Sequence, residues 1–469
     1  MKKTLALLAA LLLAPSAALA VEPPPFPKEL PPYAADRPLP VPSVTRERLP
    51  NGMELWLVPR GGLPKVSMTL ALRGGRASDP EGLAGLSDLL SATMKEGAGK
   101  RSARQIAEEL QSIGGELSVS TGADAFYLGA SSLSPGAPRL LELLAAVALA
   151  PAFPADEVEL AKENAREELE VAESTPEFLA SKAFASAVYG THPYRFVAAG
   201  RETIAKATPE LLRAEHARRF RPDQALLVVV GELDAAAAKA AVAKAFGAWK
   251  ATAEPLKPLP PSPPARAREI LLVDRPGSVQ STVVAGRPGP SLSDPDWHDV
   301  LVANTIYSEA FSSRLVTNIR EQKGYTYSPS GSFTARRAGG LLEVRADVRN
   351  DATAATLLEV FYELDRLAAT SPTEGELEAA KRYQAGLHLL RNQVRGAVAS
   401  TLARYWVNGL PPEALGEFVP KVNAVTAERV RAAGRKHFLS STQTVVVVGD
   451  AKDVTPQLEL WGAVRAVEP

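Results

Sequence analysis

The sequence predicts an α+β protein of two homologous lobes from an internal duplication, each lobe a mainly antiparallel sheet backed by helices. Three observations predict it: a pattern repeated at a fixed offset, a Pro-rich stretch near the middle of the chain, and strands that cluster separately from runs of helices. Such separate clustering is typical of α+β lobes, in which helices cover one side of a sheet.

The repeat is the most specific of these observations. The segment Thr208–Glu232 matches the segment Thr426–Asp450 without a gap, at an offset of 218 residues, and the two share Thr, Glu, Arg, Phe, Val-Val-Val and Gly. An internal duplication is the economical explanation. Each copy is predicted to be a helix that begins at a Thr N-cap, followed by a buried strand of β-branched residues.

The other elements follow from turn signals and hydrophobic periodicity. Asn51-Gly52 predicts a hairpin, Val66–Leu72 alternates as a half-buried strand, and Leu117–Leu128 is predicted to be one further strand. Apolar residues at helical spacing predict helices. These are the stripe Leu83, Leu86, Leu90 and Met94, the segments 140–147 and 155–173, and the second-half stripe Leu357, Val360, Phe361, Leu364 and Leu367.

The amino terminus is interpreted as a targeting segment. Lys2 and Lys3 precede an apolar run too short to span a bilayer, and Ala18-Leu19-Ala20 is typical of a cleavage site. We therefore expect a periplasmic or secreted protein without a membrane anchor. The predicted organisation is a signal peptide (1–20), a Pro-rich lead-in (21–43), a first lobe (44–252), a Pro-rich linker (253–266) and a second lobe (267–469).

Composition excludes several classes of function. Removing Lys2 and Lys3 from 53 basic residues leaves 51 against 53 acidic residues, a net charge of −2. A near-neutral chain argues against a nucleic-acid or anionic-membrane partner that is bound by bulk charge. The chain contains no cysteine, which excludes disulfides, iron–sulfur clusters and thiolate metal sites.

Several short motifs resemble those of the pitrilysin/insulinase metallopeptidases. They occur in the order seen in that family, and the resemblance covers nearly all of the mature chain, including the duplication. It implies a peptidase fold that acts on peptides. The motifs are Leu49-Pro50-Asn51-Gly52, Gly82-Leu83-Ala84, Gly114-Gly115 and Tyr189-Gly190-Thr191-His192-Pro193-Tyr194.

The zinc motif of that family is missing. Active members carry H-x-x-E-H after the Gly-Leu-Ala motif, so that two imidazoles on one helix face bind zinc and the Glu acts as base, with a later Glu as third ligand. The matching positions hold Gly85, Asp88 and Leu89, and the later acid matches Glu168. Glu168 is better explained as a solvated residue in an acidic helix. The resemblance therefore implies no cofactor in this chain and zinc in a partner chain.

The histidines offer no evident substitute for the lost ligands. No two of the five lie within four residues of each other, so nothing in the spacing indicates a metal site. A site assembled from distant segments stays open. The five are His192, His216, His298, His388 and His437.

A second-half segment, Ser312–Tyr327, resembles the family's Ser-Arg-Leu…Arg-Glu…Gly…Tyr pattern. Periodicity predicts a helix that ends at Gly324 and a strand from Tyr325. In the family, an Arg and a Tyr at this spacing bind the substrate backbone, and Arg320 and Tyr327 match them. Alternatively, Arg320 pairs with a carboxylate at a helix end and Tyr327 is an ordinary strand aromatic. Gly339-Gly340 is predicted to be a hairpin turn.

One further departure concerns the strand edge on which the family's substrates add as a strand. The family's Gly-Gly-x-x-Asn-Ala-x-Thr pattern has Ser118-Val119 here in place of Asn-Ala, between Gly114-Gly115 and Thr121. The sequence therefore does not predict productive substrate binding at the first lobe.

These observations predict a non-catalytic subunit of a heterodimeric, exported zinc peptidase. A homologous H-x-x-E-H chain would supply zinc, while Arg320 and Tyr327 would supply backbone contacts to unfolded peptides. The alternatives are a structural or peptide-binding homodimer of the cell envelope, without a catalytic partner, and a stand-alone metalloenzyme with an unrecognised site.

Overall fold

The structure is a computed structural model that describes residues 42–468, so the predicted signal peptide and nearly all of the lead-in lie outside the described residues. The first-half strands are β1 (Thr45–Arg48), β2 (Glu54–Pro59), β3 (Lys65–Arg73), β4 (Gly97–Ala98), β5 (Arg101–Ser102), β6 (Glu116–Thr121), β7 (Ala125–Leu133) and β8 (Ala225–Gly231). The first-half helices are α1 (Leu86–Thr93), α2 (Ala103–Ser112), α3 (Ala137–Leu149), α4 (Ala155–Glu173), α5 (Pro176–Tyr189), α6 (Arg201–Lys206), α7 (Pro209–Arg219) and α8 (Ala235–Phe246).

The second half repeats this plan. Its strands are β9 (Glu269–Asp274), β10 (Gln280–Gly289), β11 (Ser330–Thr334), β12 (Gly340–Arg349), β13 (Thr444–Gly449) and β14 (Val464–Ala466). Its helices are α9 (Trp297–Asn304), α10 (Arg314–Val316), α11 (Thr353–Ala369), α12 (Glu374–Arg391), α13 (Arg395–Val407), α14 (Ala414–Asn423), α15 (Ala427–His437) and α16 (Ala451–Leu458), with π-helical segments at Thr305–Glu309 and Thr317–Gln322.

Each half forms one six-stranded sheet, and the two sheets share a strand order. The first sheet runs β1-β2-β8-β3-β7-β6 and the second, read from its carboxyl-terminal edge, β14-β9-β13-β10-β12-β11. In both, the strand from the repeated segment lies near the middle, parallel to one neighbour and antiparallel to the other. The predicted α+β class with two duplicated, helix-backed sheets is confirmed.

The repeated segment folds as its sequence predicts. Thr208 accepts the N–H of Leu211, and Thr426 accepts the N–H of Arg429, both at 3.2 Å, so each Thr caps its helix. The Val-rich runs that follow become β8 and β13, in which every residue is buried. Local sequence therefore specifies the centre of each sheet.

The two halves exchange one helix each. Helix α5 of the first half packs on β10 and β13 of the second sheet, where Phe184 contributes to a core with Val446. Helix α13 of the second half packs on β3 and β8 of the first sheet, where Leu402 shares a core with Val228. Each sheet is thus covered on one face by its own helices and on the other by a helix of the opposite half.

This exchange corrects the prediction for Val66–Leu72. The alternating pattern predicts a half-buried strand, but all seven residues are buried within β3. The face that carries the smaller and more polar residues is covered by α13 instead of water. Arg73 marks the contact, since its guanidinium lies 3.9 Å from the Trp406 ring centroid and donates to the Trp406 carbonyl at 2.5 Å.

Two strand predictions also need correction. Leu117–Leu128 is not one strand, because the chain turns at 122–124 and forms the antiparallel pair β6 and β7. The strand predicted from Tyr325 begins only at Ser330. By contrast, the hairpins predicted at Asn51-Gly52 and Gly339-Gly340 join β1 to β2 and β11 to β12.

A polar joint connects the halves beside the linker. The Tyr194 hydroxyl donates to Asp124 at 2.6 Å and accepts the N–H of Ala338, a second-half residue, at 3.0 Å. Burial raises the pKa of Tyr194, and the adjacent Asp124 carboxylate raises it further, so the phenol stays protonated. Next to it, the His192 imidazole lies 3.0 Å from the Pro260 carbonyl.

The Pro-rich linker has neither helix nor strand in the range 253–266. It is nevertheless fixed to the second half, since Ser262 donates its N–H to the Ala338 carbonyl at 2.7 Å. Residues 42–468 belong to one compact unit, and the lobe boundaries 44–252 and 267–469 stay a prediction. No helix among the described residues combines the length and the apolarity needed to cross a membrane.

Because each half completes the other's core, we predict that the sheets unfold together. Phe184→Ala and Leu402→Ala each remove a buried side chain at an exchanged helix and should lower the free energy of unfolding by about 3–5 kcal/mol. Urea denaturation followed by circular dichroism and tryptophan fluorescence should give one transition, displaced in both variants. Leu390→Ala, at a position that is 62% exposed, is the control. Two transitions, of which each variant displaces only one, would show that the lobes fold independently.

Candidate functional site

The positions that match the zinc motif lie at the start of α1. Gly85 is the N-cap of the helix, is buried and has a positive φ of 86°. Leu89 is buried in the first-half core, and Asp88 is half-buried. Gly85 and Leu89 carry no side-chain donor atom, so two of the three motif positions cannot ligate a metal.

The space that a side chain at Gly85 would need is filled. A Cβ atom built on Gly85 would lie 2.2 Å from the Cα and 2.5 Å from the Cβ of Ala199, far inside van der Waals contact. Positive φ is also unfavourable for any residue with a Cβ. An imidazole at position 85 therefore requires both a different backbone and a displaced 196–200 segment.

A buried ion pair fixes this start of α1. Asp79 accepts the N–H groups of Gly85 at 2.6 Å and Ser87 at 3.2 Å, and it pairs with the guanidinium of Arg219 at 2.8 Å. Burial raises the pKa of Asp79 to about 6, although Arg219, the N–H of Gly85 and the hydroxyl of Ser87 oppose the shift. The carboxylate thus has a structural role at the helix N-terminus.

The acidic side chain that remains of the motif also has an ion-pair partner. Asp88 pairs with the Nε of Arg76 at 3.0 Å. Burial raises the pKa of Asp88, and Arg76 lowers it. Its carboxylate therefore faces a guanidinium in place of a metal-bound water.

Asp88 and Glu168 do line one cleft, of about 610 Å³, between α1 and α4. All of its lining residues belong to the first half, and they include Glu96 and Glu157. Glu168 is exposed. Within 42–468 no three His, Asp or Glu side chains are placed to hold a metal ion, so the residues of this cleft do not fit a zinc site.

The histidines mostly have structural partners. Ring nitrogens of His192, His216 and His388 lie 2.9–3.0 Å from main-chain carbonyls, and His437 lies 2.8 Å from the Asp296 carboxylate. Burial lowers the pKa of His298, which packs against Trp297 and Phe418, to about 4. They lie on separate elements, as their spacing predicts.

Arg320 and Tyr327 are brought together by the structure. The Arg320 guanidinium carbon lies 5.0 Å from the Tyr327 ring centroid. Arg320 belongs to the π-helical segment Thr317–Gln322, which replaces the predicted α-helical turn, and Tyr327 lies in a loop before β11. Its side chain is 82% exposed. Extra residues in a helical turn are frequent at functional sites.

Both side chains keep unused donors. Within 42–468, the polar contact of Arg320 is an ion pair with Glu321 at 3.4 Å, and the exposed Tyr327 hydroxyl has no hydrogen-bond partner. A guanidinium has five N–H donors and a phenol has one. The pair can therefore donate to carbonyl groups of a bound peptide without first breaking strong internal bonds.

Hydrogen bonds and an ion pair to the neighbouring helices α11 and α12 hold the segment that carries Arg320. The Asn318 amide donates to Glu359 at 2.8 Å and to Glu363 at 3.1 Å on α11. Arg314 forms a two-point pair with Glu376 at 2.6 and 3.0 Å. These contacts hold the backbone on which Arg320 stands.

A third residue of this site, Phe311, was not predicted from the sequence. Its ring centroid lies 4.5 Å from the Arg320 guanidinium carbon, and its side chain is 67% exposed. The only signal in the sequence is an aromatic residue in a short loop before Ser312-Ser313, where a polar residue is more usual.

The edge strand at which the sequence departs from the family pattern is nevertheless formed. β6 (Glu116–Thr121) is the outermost strand of the first sheet and pairs, among the described residues, with β7 alone. Leu117 and Val119 are half-buried, whereas Ser118 is exposed. The substitution of Asn-Ala by Ser118-Val119 therefore leaves an edge whose main-chain groups can pair with another chain.

The comparisons with known proteins agree with this architecture. Residues 62–197 match the family described as Insulinase (Peptidase family M16), and residues 206–383 match the family described as Peptidase M16 inactive domain. The chain is 25% identical over 402 residues to the uncharacterized zinc protease YmxG of Bacillus subtilis. The match covers 84% of this chain and 96% of that protein.

Solved structures show the same fold. The peptidase M16 inactive domain from Pseudomonas fluorescens is 26% identical, with a TM-score of 0.81, and the match covers 87% of this chain and 98% of that one. A protease from Helicobacter pylori, 18% identical with a TM-score of 0.80, shares the fold over 87% of this chain and 99% of its own.

Two duplicated α+β halves with a second-half Arg/Tyr pair define the class of two-lobed, peptidase-like proteins. The chain belongs to the M16 peptidase family, the insulinase/pitrilysin family. It is a member without the H-x-x-E-H motif, and its first half is a pseudo-peptidase lobe.

Gly85→Ala tests whether the 196–200 segment occupies the former ligand position. The new Cβ meets the Ala199 backbone at a positive φ, so we expect a loss of more than about 3 kcal/mol in the free energy of unfolding. Gly82→Ala is the matched control, since Gly82 has a φ of 76° with open space around it and should lose only about 1–2 kcal/mol. Equal losses in urea denaturation would mean that Ala199 does not exclude a side chain there.

The Arg314–Glu376 pair predicts a pH dependence. Hydrogen bonds from Arg314 lower the pKa of Glu376 from 4.5 to about 2 in the folded protein. Its contribution is complete above about pH 4.5 and is lost as the pH falls towards 2, because the unfolded state then binds the proton first. We expect the pair to contribute about 1–2 kcal/mol to the free energy of unfolding at neutral pH. This value allows for a Glu376 side chain that is 27% exposed.

Urea denaturation between pH 7 and pH 3 measures this contribution. Glu376→Gln should remove that part of the pH dependence, whereas Glu378→Gln on the same helix, with a side chain that is 49% exposed, should leave it unchanged. The same slope in Glu376→Gln as in the wild type would contradict the assignment.

Proposed function

We propose that this chain is the non-catalytic, peptide-binding subunit of a heterodimeric, exported zinc metallopeptidase. In this proposal a homologous chain with H-x-x-E-H supplies zinc and the general base. This chain supplies backbone contacts to an unfolded peptide through Arg320 and Tyr327. Export rests on the predicted signal peptide, and the complex is therefore proposed to act in the periplasm or outside the cell.

The observation that carries the proposal is a contrast between two sites of one chain. At the former zinc positions, the ligands are absent, Ala199 fills the space beside Gly85, and Arg76 pairs with Asp88. At the second-half site, Arg320 and Tyr327 lie side by side with unused donors. If the whole protein had lost its function, we would expect substitutions at both sites. Only the zinc positions have changed, which supports a retained function at the second-half site.

The chemistry that remains suits binding and orientation. A guanidinium fork and a phenol can donate to peptide carbonyls, whose geometry is the same in every sequence. The open edges of β6 and β11 offer main-chain groups to an extended peptide. Such contacts raise the rate of a partner's reaction by holding the scissile peptide in one orientation.

Reconstitution with a homologous H-x-x-E-H chain tests the proposal. Neither this chain nor Arg320→Ala should cleave a quenched-fluorescence peptide alone, and the wild-type pair should cleave it in a chelator-sensitive way. In the pair, Arg320→Ala should lower kcat/KM by about 10–100-fold and Tyr327→Phe by about 3–10-fold, as expected for lost hydrogen bonds to the reacting peptide.

The controls are exposed residues of the same types. Arg349→Ala removes a side chain that is 65% exposed and that, among residues 42–468, pairs with Asp351, and Tyr362→Phe alters a tyrosine that is 55% exposed. Both should keep wild-type kinetics. Chelator-sensitive cleavage by the isolated chain would refute the proposal, and unchanged kinetics of Arg320→Ala would reduce the second-half site to a structural role. Failure of the two chains to associate would favour the homodimeric alternative.

A further inference from the structure

Two large aromatic rings flank Arg320, and both are more exposed than Arg320 itself. Phe311 is 67% exposed and Tyr327 is 82% exposed, whereas the Arg320 side chain is 25% exposed. A phenyl ring left in water gives up the free energy that burial would provide. Exposed aromatic residues around a cation are therefore typical of a binding surface.

We propose that Phe311 is the specificity-determining residue of this site. The substrate class that it selects is extended peptides with an aromatic or large aliphatic side chain next to the carbonyl bound by Arg320. This inference rests on the proposed peptide-binding function and goes beyond it, because contacts to the peptide backbone alone select no side chain.

The geometry assigns different tasks to the three side chains. The guanidinium carbon lies 4.5 Å from the Phe311 centroid and 5.0 Å from the Tyr327 centroid, so both rings approach it within cation–π distance. N–H donors lie in the plane of a guanidinium and cannot act through a ring that covers its face. Hydrogen bonding is thus left to the edge of Arg320, while the exposed surfaces of the rings remain for an apolar side chain.

Apart from its contact with Arg320, Phe311 has no structural role among the described residues that would explain it. It lies in the turn after the π-helical segment Thr305–Glu309 and before Ser313, which caps α10 through its own hydroxyl at 3.4 Å. It belongs to none of the three hydrophobic clusters of the described residues. Truncation of Phe311 should therefore leave the fold unchanged.

Charge around the site does not determine the substrate. Arg320 pairs with Glu321 at 3.4 Å, and Lys323 pairs with Glu359 at 3.2 Å, so two cations and two carboxylates cancel. Neither acidic nor basic peptides are excluded. Apolar contact with Phe311 is then the main source of discrimination among unfolded sequences.

Two unstructured peptides of equal length and charge test the inference, one with a single central Phe and the other with Ser in its place. Their affinities are measured by fluorescence anisotropy on the isolated chain, and their kcat/KM values on the reconstituted pair. The wild type should prefer the Phe peptide by about tenfold, as expected for burial of exposed aromatic surface.

In Phe311→Ala the preference should fall to about one, because the Phe peptide loses its apolar contact with the ring. Arg320→Ala should weaken both peptides alike. Tyr362→Ala, which removes another exposed aromatic, should keep the tenfold preference.

The outcomes separate the two claims. If Phe311→Ala binds both peptides and keeps the preference, Phe311 does not determine specificity, although the proposed function stands. If the wild type shows no preference while Arg320→Ala weakens both peptides, the same conclusion holds. If the wild type neither binds nor helps to cleave either peptide, the proposed function and this inference both fail.

Discussion

The exchange of α5 and α13 between the halves is the constraint on which the rest of the structure depends. Each sheet has two apolar faces, and its own half supplies helices for only one of them. Phe184 and Leu402 complete the opposite cores, so neither half buries its sheet without the other. A duplicated chain thereby becomes one compact unit, whose two sites are fixed relative to one framework.

The start of α1, where the zinc motif would lie, is packed within the same framework. The chain leaves α5 through the polar joint, where Tyr194 is bonded to Asp124 and Ala338, and then reaches the segment that contains Ala199. This path places Ala199 against Gly85 at the start of α1. The space that a side chain at position 85 would need is therefore occupied by Ala199, so a ligand restored at that position also requires the 196–200 segment to move. At Arg320, by contrast, the anchored π-helical turn leaves the side chain available.

Local sequence predicted the elements whose causes are local. Thr208 and Thr426 cap their helices through contacts three residues along the chain, and the Val-rich runs that follow are typical of buried strands. The resemblance supplied Arg320 and Tyr327 as a pair, and the structure brings them together. Burial of both faces of β3 and the contact of Ala199 with Gly85 were not predictable, since both depend on residues more than a hundred positions away. Phe311 was missed because one exposed aromatic in a loop has no periodicity.

The central claim is that this chain binds unfolded peptide by itself and without metal. Calorimetric titration of the isolated chain with an unstructured peptide, once with a chelator and once with excess zinc, tests it most directly. The account predicts the same affinity in both conditions, with the peptide recovered intact. Binding that requires zinc, or cleavage of the peptide when zinc is added, would contradict it.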